Sequence, residues 1–215
     1  LESRGHEVIG FLHSQIEVSE VTSVREILHG TNPDVVINTA AFHKVDVAED
    51  HPELAFAVNT LGPYNIAGVC AAIGVPLVHL STDYVFSGRK NSPYEESDAV
   101  GPLNSYGTSK ATGEMALRYI WSRHFIIRTG ALYGVAGPTG KGENFVQSML
   151  RMASEGESIK VVEDQHITPT STVSLACQIE ALIGTEAFGT YHATCQGETT
   201  WYGFAKEIFR HLGLD

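Results

Sequence analysis

Cysteine is scarce: Cys70, Cys177 and Cys195 are the only three in 215 residues, an odd number with no C-x-x-C spacing. That excludes a disulfide framework and a cysteine zinc site, and a reducing, cytoplasmic setting is expected. Positive charge is short as well. Fourteen Lys and Arg stand against twenty-five Asp and Glu, a formal net charge of -11. A general nucleic-acid or anionic-membrane surface is thereby excluded as a partner, and an anionic ligand needs a local cationic site. No uninterrupted apolar run approaches the ~20 residues that cross a bilayer. The first residues hold no charged region followed by an apolar one, so no membrane segment or export signal is expected. Ten histidines include no His-Glu-x-x-His, and they read as scattered surface or core groups, with no metal site assigned. What the chain does have is 43% apolar residues, enough for a real core.

Those residues follow a repeated grammar. Leu1–Gly10 reads as a helix end, a glycine stop at Gly5 and a strand over His6–Phe11. A capping box at Ser23-x-x-Glu26 opens a helix that stops near Gly30. Asp34–Asn38, apolar without alternation, suits a strand covered on both faces. A helix over Pro52–Ile73, a strand over Val75–Leu80, a helix over Ser105–Ser122 and a strand over His124–Arg128 follow. The alternation predicts an α/β fold with a doubly wound, parallel, Rossmann-like sheet and right-handed crossovers. After Gly134 the pattern loosens into a Gly/Pro-rich loop (Gly137, Pro138, Gly140, Gly142). A helix near Glu143–Ala153, a short strand near Ile159–Val162 and a helix near Ser171–Ile183 come next. The domains are accordingly expected at 1–133, dinucleotide-binding, and 134–215, a smaller substrate lobe.

Ligands of such sheets sit at the carboxyl ends of the strands, and polar and small residues gather there in Asn38–Phe42, Ser81–Phe86 and Arg128–Gly134. Tyr106 and Lys110 lie four apart, hence on one helix face. A phenol with pKa near ~10 is a poor acid at neutral pH unless a cation favours its phenolate, which Lys110 is placed to do. Ser81 and Thr82 end the preceding strand, where a hydroxyl can bond the same reacting carbonyl as the tyrosine. Taken alone, Tyr106 and Lys110 read first as surface residues and Ser81-Thr82-Asp83 as a turn or cap. Context decides between these readings.

That context is Pro33-Asp-Val-Val-Ile-Asn-Thr-Ala-Ala, Ser81-Thr-Asp-Tyr-Val-Phe-Ser-Gly88, Pro93-Tyr-x-Glu-x-Asp98, Pro102-Leu-Asn-Ser-Tyr-Gly-Thr-Ser-Lys-Ala-Thr-Gly-Glu114 and Arg128-Thr-x-x-x-Tyr-Gly134. Together they resemble the extended short-chain dehydrogenase/reductase superfamily, and within it the dTDP-4-dehydrorhamnose reductase family. Asn144-Phe-Val-Gln-Ser-Met-Leu, Val161-Val-Glu-Asp-Gln165, Pro169-Thr-Ser-Thr172, Tyr191-His192 and Trp201-Tyr-x-Phe-Ala205 agree, in family order. The resemblance implies hydride transfer from NADPH or NADH to the C4 ketone of a dTDP-4-keto-6-deoxy sugar, as in dTDP-L-rhamnose biosynthesis. It implies that Tyr106 donates the proton, that Lys110 lowers its pKa and binds the nicotinamide ribose, and that Thr82 hydrogen-bonds the reacting centre. Asp83 then faces the sugar, Ala40, Ala41 and Phe42 line the cofactor, and Asn59 and Tyr84 complete the pocket. The physical logic stands apart from the name: hydride delivery creates an alkoxide, and a preorganised donor stabilises it more than it stabilises the ketone. Asp46–Asp50 and the cluster Glu95, Glu96 and Asp98 read as solvated faces and caps, although the resemblance also allows a homodimer with Mg²⁺ bridging subunits through such an acidic surface.

The departures from the family are specific. Its first strand and Gly-x-x-Gly-x-x-Gly turn, which seat a pyrophosphate on a helix N-terminus, are expected upstream of Leu1, and Leu214-Asp215 is expected to fall short of the family's usual end. The 215-residue chain alone is expected to bind cofactor weakly. Gly130-Ala131 stands where the family has Ser-Trp, so Ala131 occupies a substrate position that lacks an aromatic ring. Glu17 falls where an Asp is common near the adenine, and Pro63 interrupts a helix without a functional reason. Two other readings use the same residues. One is a nucleotide-sugar 4-epimerase or 4,6-dehydratase, although no Glu follows Asp83 to serve as the second carboxylate. The other is a non-catalytic regulatory subunit resembling that of methionine adenosyltransferase.

Overall fold

In the computed structural model, residues 1–136, 142–156 and 158–213 are described. Gly137, Pro138 and Gly140 of the expected loop, and the terminal Leu214-Asp215, lie outside them. Helix α1 (Val21–Thr31) turns Val24 and Leu28 into the core and stops at Asn32, whose φ of 46° is the left-handed conformation asparagine tolerates. Strand β1 (Val36–Asn38) follows, then α2 (Val45–Asp50) and α3 (Pro52–Phe56). One turn of π-helix over Ala57–Leu61 leads into α4 (Gly62–Ile73), which Gly74 ends at φ 74°. Beyond lie β2 (Leu77–Thr82), α5 (Ser105–Ile120) and β3 (His124–Thr129).

The strands form one sheet in the order β1-β2-β3-β7, completed by β7 (Gly189–His192). β1 pairs β2 in parallel, Val36 opposite Leu77, and β3 pairs β7 in parallel, Phe125 opposite Gly189. Every residue of β3 and all but Leu80 of β2 are buried, which is why these strands read as apolar runs without alternation. Val24, Leu28, Ile66, Leu77, Leu117 and Ile126 interlock in the main core cluster. Pro52–Ile73 is long and apolar enough to cross a membrane by length and composition. Its Ile66, Ala67, Val69 and Cys70 lie in that cluster instead, which makes it a core helix here.

By internal contacts the chain divides into two compact units, Leu1–Arg128 with Cys177–Ala193, and Thr129–Ala176 with Thr194–Asp215. The expected cut between 133 and 134 therefore moves to Thr129, and residues 177–193 return to the first unit because β7 completes its sheet. The second unit holds β4 (Leu132–Tyr133) parallel to β6 (Thr170–Ser171), and β5 (His166–Ile167) antiparallel to β8 (Thr199–Thr200). Helix α6 (Phe145–Ser154) begins with a full capping box between Asn144 and Gln147, and α8 (Trp201–Leu212) packs Ala205 and Ile208 against Met149. Helix α7 spans Thr172–Ile183.

Three expected elements differ. His6–Phe11 is not a strand: Val8 and Ile9 are exposed and pair with no ladder among the described residues. Ser23 caps nothing, because α1 starts two residues earlier and the Ser23 hydroxyl accepts the Glu17 N–H at 3.0 Å. Ile159–Val162 is irregular. Its Ile159 and Val161 are drawn onto the second unit's core, while the Val162 carbonyl accepts the Tyr202 N–H.

The π-helical turn accounts for Pro63. Proline has no N–H and its ring collides with the carbonyl four residues earlier, here that of Asn59. Widening the preceding turn accommodates the ring, and Gly113 of α5 packs onto that same carbonyl, where a Cβ would lie 2.1 Å from the oxygen. Because backbone on both sides must move, Gly113→Ala is expected to destabilise by about 1–3 kcal/mol in urea unfolding.

Candidate active site

Glu114 of α5 has no exposed surface, yet it carries a charge. Its carboxylate accepts two hydrogen bonds from Arg128 (2.9 and 2.8 Å), one from Arg118 (3.0 Å) and one from the Ser81 hydroxyl (2.6 Å). Burial pushes its pKa up, but Arg128, Ser81 and Arg118 outweigh that, and the net shift is downward. Ser81, expected as a partner of the reacting carbonyl, is thereby corrected: its hydroxyl is committed to Glu114. Alternation along β2 sends the next side chain, Thr82, to the other face.

Thr82 is 6% exposed. Its hydroxyl donates to Asp83 Oδ1 at 3.0 Å and accepts the Tyr84 N–H at 3.2 Å, capping a 3-10 turn over Asp83–Val85. The cap reading and the site reading thus stand side by side, because the same hydroxyl is near enough to the Tyr106 phenol to pull its pKa down. Burial dominates that phenol and pushes it up to about 12, with the charges of Asp83 and Tyr84 adding to the rise. Burial also raises the Asp83 carboxyl, despite its open path to solvent. Tyr84 stands edge-on to Tyr106, ring centroids 5.6 Å apart.

Asn104 starts α5, accepting the Gly107 N–H at 2.7 Å, and so fixes where Tyr106 and Lys110 project. Lys110 is 2% exposed, and its Nζ donates to the Leu80 carbonyl at 2.5 Å. Burial drops its pKa to about 8 against the opposing pull of Glu114. The Lys110 head group is turned toward Leu80 and His79 of β2.

The loop after β1 is held at both ends. Asn38 Oδ1 accepts the Ala40 N–H (3.0 Å), and Asn59 brackets Phe42 by accepting its N–H (2.8 Å) and donating to its carbonyl (3.0 Å). Asn59 also donates to Ser109 Oγ, is wholly buried, and so offers no surface to a ligand; its expected cofactor contact becomes a structural tie between this loop and α5. Ala131 lies in the second unit at φ 45°, its carbonyl accepting the Thr170 N–H. Glu17 is occupied by Ser19, whose N–H and hydroxyl it accepts. Among the described residues no three His, Cys, Asp or Glu side chains converge on a metal position. In the acidic cluster, Asp98 pairs with Lys90 and Glu96 accepts the His192 N–H.

A parallel α/β sheet that sets threonine, tyrosine and lysine on one strand end and one helix defines a nicotinamide-dependent oxidoreductase of the short-chain type. The family described as RmlD substrate binding domain matches residues 1–215. The dTDP-4-dehydrorhamnose reductase of Streptomyces griseus is 42% identical over 221 residues, covering 100% of this chain and 71% of that protein. The dTDP-4-keto-6-deoxy-D-glucose reductase of Streptomyces niveus is 39% identical, covering 97% of this chain and 71% of that protein. The crystal structure of dTDP-4-dehydrorhamnose reductase from Bacillus anthracis in complex with NADP superposes with a TM-score of 0.94 at 35% identity, covering 100% of this chain and 75% of that one. The chain belongs to the RmlD substrate binding domain family.

Lys110 gives a sign that stability measurements can read. Its pKa is lower folded than unfolded, so between about pH 8 and the ordinary 10.5 the unfolded chain holds more protons and stability rises with pH. The rise is expected to reach roughly 3 kcal/mol, at 1.36 kcal/mol per unit, and to vanish in Lys110→Met; equal pH profiles for the two proteins would refute it.

Proposed function

We propose that the residues of this chain serve the reduction of the C4 ketone of a dTDP-4-keto-6-deoxy sugar with NADPH, giving the dTDP-L-rhamnose type of product. The observation that carries the reading is the buried Thr82 hydroxyl set near enough to the Tyr106 phenol to act on it, with Lys110 one turn further along the same helix. The relatives' names support the nucleotide-sugar substrate, and the NADP in the Bacillus anthracis structure supports the choice of cofactor.

The residues fit a nicotinamide cofactor. Ala40 and Ala41 present only methyl groups where the chain leaves β1, and Asn38 and Asn59 hold their loop in place. When bound, the cofactor supplies the hydride. Tyr106 supplies the proton: burial keeps the phenol protonated through neutral pH, and it passes that proton to the oxygen as negative charge develops there. Thr82 orients the phenol and, by turning its own O–H from Asp83 toward the substrate, adds a second donor at the same oxygen. Lys110, with one N–H on Leu80, retains further donors for the ribose hydroxyls. Asp83 receives sugar hydroxyls as an acceptor. The dehydratase reading finds no further support, since Tyr84, not a second carboxylate, follows Asp83.

NADPH oxidation with dTDP-4-keto-6-deoxy-L-lyxo-hexose tests the reading, with dTDP-4-keto-6-deoxy-D-glucose as the competing sugar. Tyr106→Phe is expected to lower kcat roughly 100- to 10,000-fold, and Thr82→Val about 100-fold. Undiminished turnover in Tyr106→Phe, or no NADPH consumption by a protein that joins this chain to the family's Gly-x-x-Gly-x-x-Gly turn, would overturn the proposal.

A further inference from the structure

Behind the Tyr106–Lys110 face, β2 buries an imidazole that the proposed chemistry leaves unused. His79 has no exposed surface, and a nitrogen group faces each of its ring nitrogens: Asn38 Nδ2 lies 3.1 Å from Nδ1, and Lys110 Nζ lies 3.4 Å from Nε2. Both neighbours are donors as ordinarily written, and a neutral imidazole can accept at only one nitrogen. One of the three groups has to adapt.

The Asn38 amide cannot. Its Oδ1 accepts the Ala40 N–H at 3.0 Å, and a flipped amide would set NH₂ against N–H, donor against donor. Nδ2 therefore donates, and His79 Nδ1 must accept. The ring cannot become imidazolium, since its complete burial opposes a second proton and no acidic group among the described residues pairs with it. Its single proton consequently resides on Nε2, aimed at Lys110. An ammonium has no lone pair to receive that proton; an amine has one. The bond from Nζ to Leu80 discriminates nothing, because either form of lysine can donate it.

We propose that Asn38 and His79 act as a positioning pair that presents an N–H to Lys110 and so favours the amine over the ammonium form of that lysine. The link to turnover rests on the reductase reading; the proton arrangement does not. The other groups around Lys110 are accounted for. Glu114, one turn along α5, favours the ammonium, but its oxygens are engaged by Arg128, Arg118 and Ser81. Tyr106 precedes it on α5 and stays protonated, while Asp83 and Tyr84 beyond β2 act on Tyr106. From β3, His124 acts on His79. On α2, which packs on α5, Glu49 accepts the Ser105 N–H and Asp46 acts on Tyr84. None of these supplies the N–H that faces Nζ.

The ring nitrogens can be read directly by ¹⁵N NMR of histidine-labelled protein, with the His79 signals assigned by their loss in His79→Gln. Native protein is expected to show an unprotonated Nδ1 and a protonated Nε2 that do not titrate between pH 6 and 9. Asn38→Ala removes the donor at Nδ1, frees the proton to move there, and is expected to raise the Lys110 titration midpoint, followed at its side-chain ¹⁵Nζ, by about one unit or more. A native ring carrying its proton on Nδ1 would overturn the proposal whether or not the variant folds. So would an unchanged Lys110 midpoint once the tautomer has inverted. Neither measurement needs substrate or cofactor, so failure here is distinct from failure of the NADPH-oxidation assay.

Discussion

The charged contact between Glu114 and Arg128 governs the geometry of the first unit. Two carboxylate oxygens gather the end of β2 through Ser81, β3 through Arg128 and the outer turn of α5 through Arg118. An ionised group at zero exposure is tolerable only when every lone pair is engaged, and here four donors engage them. Once β2 and α5 are tied on one face, the opposite face follows from pleat and helical repeat. Thr82 must point away from Glu114, and Tyr106 two turns earlier must rise beside it. The Thr82 and Tyr106 hydroxyls are thus placed by a network in which neither takes part.

A second constraint sits one layer out. Pro63 forces a wider turn, the turn presents the Asn59 carbonyl to Gly113, and the Asn59 side chain ties the loop at Phe42 to Ser109 on α5. A residue without an evident role in the sequence proves to be part of how α4 and α5 come close. The approach needs both a helix irregularity on one side and an absent side chain on the other.

Much of this was legible in the sequence because it rests on local rules. Unalternating runs at Asp34–Asn38 and His124–Arg128 became strands, Gly74 ended its helix, and Tyr106 and Lys110 fell on one helix as their spacing requires. The illegible parts are those that depend on partners distant in the chain. His6–Phe11 has strand composition but no neighbouring strand to bond. Ile159–Val162 is apolar because it covers a core. Ser81 and Thr82 look interchangeable as letters; only the pleat turns one hydroxyl toward Glu114 and the other toward Tyr106. Histidine and asparagine in the interior of strands carry no pattern at all, so the contact of Asn38 and His79 with Lys110 emerged only from the three-dimensional arrangement.

The return of residues 177–193 to the first unit has a consequence for biosynthesis. The ribosome completes β3 at Thr129, but its parallel neighbour β7 does not exist until Gly189 has been made. At the usual 5–20 residues per second the intervening 60 residues (189 less 129) take roughly 3–12 s. For that interval the nascent sheet carries an open edge at β3, with Phe125 and Ile127 uncovered on their β7 side. A slow stretch of translation before residue 189 would lengthen that exposure, and a chaperone that shields extended apolar backbone would act within it.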